Sequence, residues 1–225
     1  MSLFAIADLH LSFGVEKPMD IFFGWKGYVE KLEKNWRDVV KKDDMVVVAG
    51  DISWGMNLKE SYLDFKFLDS LPGNKILLKG NHDYYFDTKA KMDRFFLENG
   101  FSSLSFLYNN SYEYGEYSIC GTRGWVNMPS EPFDEKILKR EAGRLKFSLE
   151  SAKKKPIVFL HYPPIFCDGR SKEILDVLYE NEVEDVYYGH LHGKSCKNAI
   201  IGKVDGINYN FISSDYLGFR LLKIL

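Results

Sequence analysis

The sequence is poor in cysteine. Its 225 residues include three, Cys120, Cys167 and Cys196. Their odd number and wide spacing exclude a closed disulfide framework and a zinc ribbon, and fit a reducing cytoplasm. Proline is also scarce, at seven residues. No Pro/Gly/Ser-rich stretch divides the chain, so a single domain over residues 1–225 is expected. An excess of one charge is missing: 30 Lys+Arg stand against 32 Asp+Glu, a formal net charge of −2. With a pI near 6.2, the electrostatic footprint of a dedicated nucleic-acid binder is absent. No apolar run approaches the roughly 18 residues that would cross a bilayer, so no membrane partner is expected. The apolar start Leu3–Ala7 is broken by Asp8 and lacks a basic flank, unlike a secretory signal.

What is present is material for a core: 45% of residues are hydrophobic and 16% aromatic. Leu3–Ala7, Met45–Ala49 and Lys75–Lys79 read as strands buried on both faces. Between them, Val29, Leu32, Trp36 and Val39/Val40 recur at helical steps, as do Leu58, Tyr62, Phe65 and Leu68. Such alternation predicts parallel strands with right-handed crossovers. Leu104–Tyr108 and Glu116–Cys120 are strand-like, and Gly121–Pro132 is a loop. A long helix follows with Leu138, Ala142, Leu145, Leu149 and Ala152 on one face. Its basic residues, Arg140 and Arg144 among them, read as a solvated face. Pro156–Leu160 and Asp185–Tyr188 are further strands. Asp205-Gly206 is a type I′ hairpin signal, and Leu217, Phe219 and Leu221 alternate as in a strand. The expected class is α/β: two mixed sheets packed face to face and flanked by helices, a four-layer αββα sandwich.

Polar clusters follow five of these strands: Asp8-x-His10, Gly50-Asp51, Gly80-Asn81-His82-Asp83, His161, and Gly189-His190-x-His192. Residues just past C-terminal strand ends share one rim, where α/β proteins bind ligands. A lone Asp or Asn there is ordinary turn chemistry. The joint pattern is not, because all five histidines of the chain fall in these clusters. Asp, Asn and His without cysteine suit manganese, iron or zinc rather than calcium. Seven candidate ligands exceed one tetrahedral site and fit two metals about 3.5–4 Å apart.

In this order the clusters resemble those of the calcineurin-like metallophosphoesterase superfamily, from Asp8 to His192. The resemblance implies that Asp8, His10 and His192 bind one metal, that Asn81, His161 and His190 bind the other, and that Asp51 bridges them. It implies hydrolysis of a phosphomonoester or phosphodiester by a metal-bound hydroxide. His82 resembles the family's catalytic histidine, which is not a ligand. Asp83 either orients His82 or, preferably, caps the following helix. In the phosphoprotein phosphatase branch, the Gly-Asp motif continues to a second Asp. Trp54 stands there instead, which argues for the small bacterial and archaeal phosphodiesterase-like branch and leaves His82 without its usual support.

The expected partner is a phosphorylated small molecule. For substrate binding, Arg123, Trp125 and Tyr162 are the candidates: Arg123 for a phosphate, Trp125 for stacking, Tyr162 as a flank of a ligand motif. A purely structural role for that loop stands equally. The competing functions are a nuclease, opposed by the acidic pI, and a non-catalytic scaffold, opposed by the filled motif positions.

Overall fold

The computed structural model describes residues 1–125, 134–167 and 169–225. The apolar runs of the N-terminal half become β1 (Leu3–Ile6), β2 (Met45–Ala49), β3 (Asn74–Leu78) and β4 (Leu104–Leu107). They are parallel neighbours in that order. The helices α1 (Tyr28–Val39), α2 (Tyr62–Ser70) and α3 (Lys89–Glu98) connect them. After β5 (Tyr112–Tyr114) and β6 (Tyr117–Thr122) come α4 (Glu135–Glu150) and β7 (Lys155–Leu160). A short ribbon, β8 (Ile165–Phe166) and β9 (Gly169–Arg170), precedes α5 (Lys172–Glu180). The chain ends with β10 (Asp185–Tyr188), β11 (Gly202–Val204), β12 (Ile207–Phe211) and β13 (Leu222–Lys223). One sheet has the order β13-β1-β2-β3-β4, the other β11-β12-β10-β7-β6-β5. Both are mixed.

Strand alternation sorts the apolar side chains into layers. Leu3, Ala5 and Ala7 point between the sheets, with Val47, Ile76, Ile157, Phe159 and Ile212. Phe4 and Ile6 point the other way, into a core shared with Leu32, Trp36, Phe65, Met92 and Phe96 of α1 to α3. On the second sheet, Val158, Leu160, Val186 and Tyr188 meet Leu145 and Leu149 of α4 and Ile174 and Leu178 of α5. The four αββα layers are therefore those expected. Among the described residues no helix is long and apolar enough to cross a membrane.

The two sheets are joined at one rim. Ala7 pairs with Ser213 as an isolated parallel bridge. Its N–H donates to the Ile212 carbonyl at 2.9 Å, and the Ser214 N–H donates back to the Ala7 carbonyl at 3.0 Å.

The hairpin at Asp205-Gly206 has both residues at positive φ, 49° and 91°, as type I′ requires. The Leu217–Leu221 alternation is corrected: it is a turn, and the strand begins only at Leu222. The Phe219 N–H reaches back to the Ser214 carbonyl at 2.7 Å. Phe219, at φ 58°, then buries its ring against Trp25 rather than in a sheet. Of the Gly121–Pro132 loop, residues 126–132 lie outside the described residues, as does Asp168.

Candidate metal centre

Four of the seven proposed ligands leave their strand ends in a left-handed backbone conformation. Asp8, His10, Asp51 and His190 have φ of 61°, 46°, 51° and 74°. Left-handed residues other than glycine cost roughly 1 kcal/mol or more each and collect at functional sites. The motif glycines have a steric cause. A Cβ on Gly80 would lie 2.1 Å from Asp51 Oδ1, and one on Gly189 would lie 2.4 Å from Asp8 Oδ2.

The turns bring all seven proposed ligands together. Asp8, His10 and His192 form one group that could hold a metal ion, and Asp51, His161 and His190 form another. His10 Nε2 and His192 Nε2 face each other at 3.2 Å. Asn81 Oδ1 lies 2.7 Å from His161 Nε2 and 2.9 Å from His190 Nδ1. Asp51 Oδ2 lies 3.7 Å from His10 Nε2 and 3.5 Å from His161 Nε2, at the junction of the groups. Ligands about 2.0–2.1 Å from a shared ion would stand roughly 2.9–3.4 Å apart, close to this spacing.

Tautomers and charge favour a cation. His161 Nδ1 donates to the Ala49 carbonyl at 3.1 Å, which leaves Nε2 as a bare lone pair facing Asn81 Oδ1. His192 Nδ1 donates to Asp215 Oδ1 at 3.0 Å, which turns its Nε2 toward Asp8 and His10. Two acceptors in contact repel unless a positive charge lies between them. Asp8 and Asp51 are buried, and among the described residues no Lys or Arg pairs with either. Burial, then the charge of Asp8, raises the pKa of Asp51. Burial also pushes Asp8 up, but the charges of His192, His161 and His10 outweigh it and hold Asp8 below the usual carboxylate range. Burial pushes His190 down to about 3. Burial pulls His192 down, but the carboxylates Asp8 and Asp215 overcome it and lift it to about 10, so without an ion its Nε2 holds a proton whose positive charge a bound cation would replace. The donor set thus fits metal ions.

A family model described as calcineurin-like phosphoesterase matches residues 1–194. The chain belongs to this family. No curated protein matches it significantly. The solved structure of the protein of unknown function AQ665 from Aquifex aeolicus is similar over 99% of this chain and 95% of its own, at 18% identity and a TM-score of 0.56. TT1561 of Thermus thermophilus is similar over 99% of this chain and 97% of its own, at 13% identity and a TM-score of 0.56. These two likenesses show the fold alone.

In this calcineurin-like phosphoesterase, residues not read from the sequence hold the proposed ligands. Ser213 Oγ donates to Asp8 Oδ2 at 2.7 Å, and Ser214 Oγ donates to the Asp8 carbonyl at 2.6 Å. Asp215 holds His192 and accepts from the Gly193 N–H at 2.9 Å. Ser213-Ser214-Asp215 is a sixth polar cluster just past a strand, with no histidine to mark it. Asp83 neither caps a helix nor orients His82. Thr88 caps α3, while Asp83 Oδ1 accepts from the N–H groups of Ile52 (2.8 Å) and Ser53 (3.2 Å), and Oδ2 from Gly80 (2.7 Å). It staples the Asp51 turn to the Asn81 turn. Ser53 Oγ donates in turn to the buried Asp64. Burial raises Asp83 and Asp64 to about 6 each.

His82 is half-buried beside the ligands, its N–H donating to Asp51 Oδ1 at 2.8 Å. Trp54, in place of the phosphatase Asp, supports it by packing: its ring lies 4.4 Å from His82 and stacks on His10 at 5.0 Å.

The proposed substrate residues divide. Tyr162 packs on His190 with ring centroids 4.0 Å apart, and Trp125 packs on Tyr162 at 4.9 Å. The Arg123 guanidinium turns to Glu141, Nη2 to Oε1 at 3.4 Å. Glu141 is buried on the apolar stripe of α4, three residues past Leu138. It also accepts from Thr122 Oγ1 at 2.8 Å and Arg144 Nη1 at 2.6 Å. The expected solvated face is corrected there: Arg144 answers a buried carboxylate. Arg123 contributes through its carbonyl, which accepts the His161 and Tyr162 N–H groups at 3.1 and 2.9 Å.

Proposed function

We propose that the chain hydrolyses a phosphoester, mono- or diester, at two metal ions, one held by Asp8, His10 and His192 and one by Asn81, His161 and His190, with Asp51 shared. The observation that carries this reading is the position of Asp51 Oδ2, within 3.7 Å of a donor from each group. Manganese, iron and zinc suit the donors. When bound, the two ions supply Lewis acidity toward the phosphoryl oxygens and lower the pKa of a water.

The remaining work falls to the chain. Asp215 and the Ala49 carbonyl hold the far nitrogens of His192 and His161, so that their Nε2 atoms face inward. Burial, then the charge of His161, pushes His82 down to about 4. Its ring is therefore neutral near pH 7 and presents an N–H to the substrate. An arriving phosphate anion raises its proton affinity, so that His82 assists proton delivery to the leaving oxygen.

Metal analysis joined to a panel of aryl phosphate mono- and diesters tests the reading. Two ions per chain and turnover with Mn²⁺ are expected. His82→Ala is expected to lower turnover by about 10²–10⁴-fold. No hydrolysis of any ester with Mn²⁺, Fe²⁺ or Zn²⁺ overturns it.

A further inference from the structure

A cleft of about 910 Å³ opens at His10, His82 and His192. That volume lies within the range that holds a drug-sized ligand. Away from the histidines its wall is Met19, Phe22, Phe23 and Tyr216, with Lys194 and Lys197 also lining it.

The apolar wall continues onto the surface. Ile21, Phe22 and Phe23 are consecutive and 74%, 53% and 104% exposed. Their exposure is built by the backbone. Phe22 N–H donates to the Met19 carbonyl (3.0 Å), Trp25 N–H to the Phe22 carbonyl (3.1 Å), and Gly27 N–H to Asp20 Oδ1 (2.7 Å). Covering such side chains removes apolar surface from water and is favourable. Contiguous exposed apolar surface of this kind marks a binding site.

The rings beside the histidines are already engaged. Trp54 stacks on His10 and carries Lys17 Nζ 4.6 Å from its ring centre. Trp25 meets Tyr28, Phe219, His10 and His192 edge to face. Asp215, the acid of the cleft, is committed to His192 and Gly193. The ring faces left open in the cleft are therefore those of Phe22, Phe23 and Tyr216, away from the histidines, and with Met19 they form an apolar lane that a flexible chain can cover along its length.

We infer that this cleft selects an amphiphile: a phosphoester whose alcohol carries a long apolar chain, with the anionic head at the histidines and the chain along Met19, Phe22 and Phe23 toward Ile21. This rests on the hydrolase reading above. Cleavage of the P–O bond places the water hydroxyl on phosphorus and a proton on the released alcohol, which the cleft still holds by its chain.

The test compares ethyl phosphate with octyl phosphate below its micellar concentration, and with hexadecyl phosphate in phosphatidylcholine vesicles. Two readouts are taken: kcat/KM of the Mn²⁺-loaded protein, and tryptophan fluorescence quenching by each ester. With about 0.8 kcal/mol per buried CH₂, octyl over ethyl is expected to gain at least about 100-fold in both. Phe23→Ser is expected to cut that ratio by about tenfold and Phe23→Leu to keep it. Phe23 is fully exposed, so neither change threatens folding. Preference for the vesicle ester identifies a lipid surface as the source; preference for monomeric octyl phosphate identifies a soluble amphiphile. Equal values for ethyl and octyl in both readouts overturn the inference and leave the hydrolase reading standing. Chain-length-dependent quenching without turnover of any ester overturns only the hydrolase reading.

Discussion

The two halves of the candidate metal centre are held by different means. Around Asp8, hydroxyl groups do the holding, and they arrive from the other sheet: Ser213 and Ser214 follow β12, whereas Asp8 follows β1. Around Asp51 the holding is done within one sheet, by Asp83 and Asp64, whose buried carboxyls gather backbone N–H groups and the Ser53 hydroxyl. The first half depends on how the sheets sit together. The second depends on two acids that burial pushes toward their neutral form.

Asp51→Asn should do the most damage, because Asp51 Oδ2 stands at the edge of both halves. Metal analysis is expected to show two ions per chain falling to one or none, with loss of turnover. Two ions retained would end the idea of a shared carboxylate.

The acid-braced half should betray itself in stability against pH. Asp64 is raised to about 6 by burial, above its unfolded value near 3.9. Its folded form therefore holds the proton more tightly. The contribution is fully present below about pH 4 and lost as pH rises through about 6, on the order of 3 kcal/mol in all. Urea unfolding at pH 4 to 7 should show this fall in the wild type, less of it in Asp64→Asn. Equal slopes would mean that Asp64 is not part of the brace. Asp83 shifts in the same direction, so the difference between the two proteins is the quantity to read.

Asp215→Ala tests the other half alone. His192 loses the acceptor of its Nδ1 proton, and such losses lower metal affinity about 10–100-fold. Calorimetric titration with Zn²⁺ should show one of two binding steps weakened and the other kept. Ser213→Ala removes one hydrogen bond to Asp8 and should cost about 1 kcal/mol, seen as a few-fold weakening of the same step. If instead both steps weaken equally, the halves are not separately braced.

Much of this is legible in the chain. Apolar runs ending in Asp, Asn or His announce strand ends, and the period of two predicts which of Leu3–Ile6 face each core. The braces are hidden for a physical reason. Ser213 reaches Asp8 across 205 residues, and serine has too many ordinary uses to stand out without its partner. Asp83 resembles a helix cap because it precedes α3, yet Thr88 is better placed. The Leu217–Leu221 alternation misleads because one left-handed residue, Phe219, buries a ring without any sheet. Arg123 reads as facing substrate because the buried acid opposite it, Glu141, sits in a helix whose many basic residues mask it.

The hydrogen bonds between Ala7 and the Ile212–Ser214 segment make the molecule resemble a book whose spine lies at the active rim. Pages bound along a spine can fan at the open edge while the bound edge keeps its place. Breathing of the outer helices and of the far strand ends should therefore disturb the spacing of the histidines little. Warming should loosen the open edge first, and amide protons of Ala7 and Ser214 should be among the last to exchange with solvent.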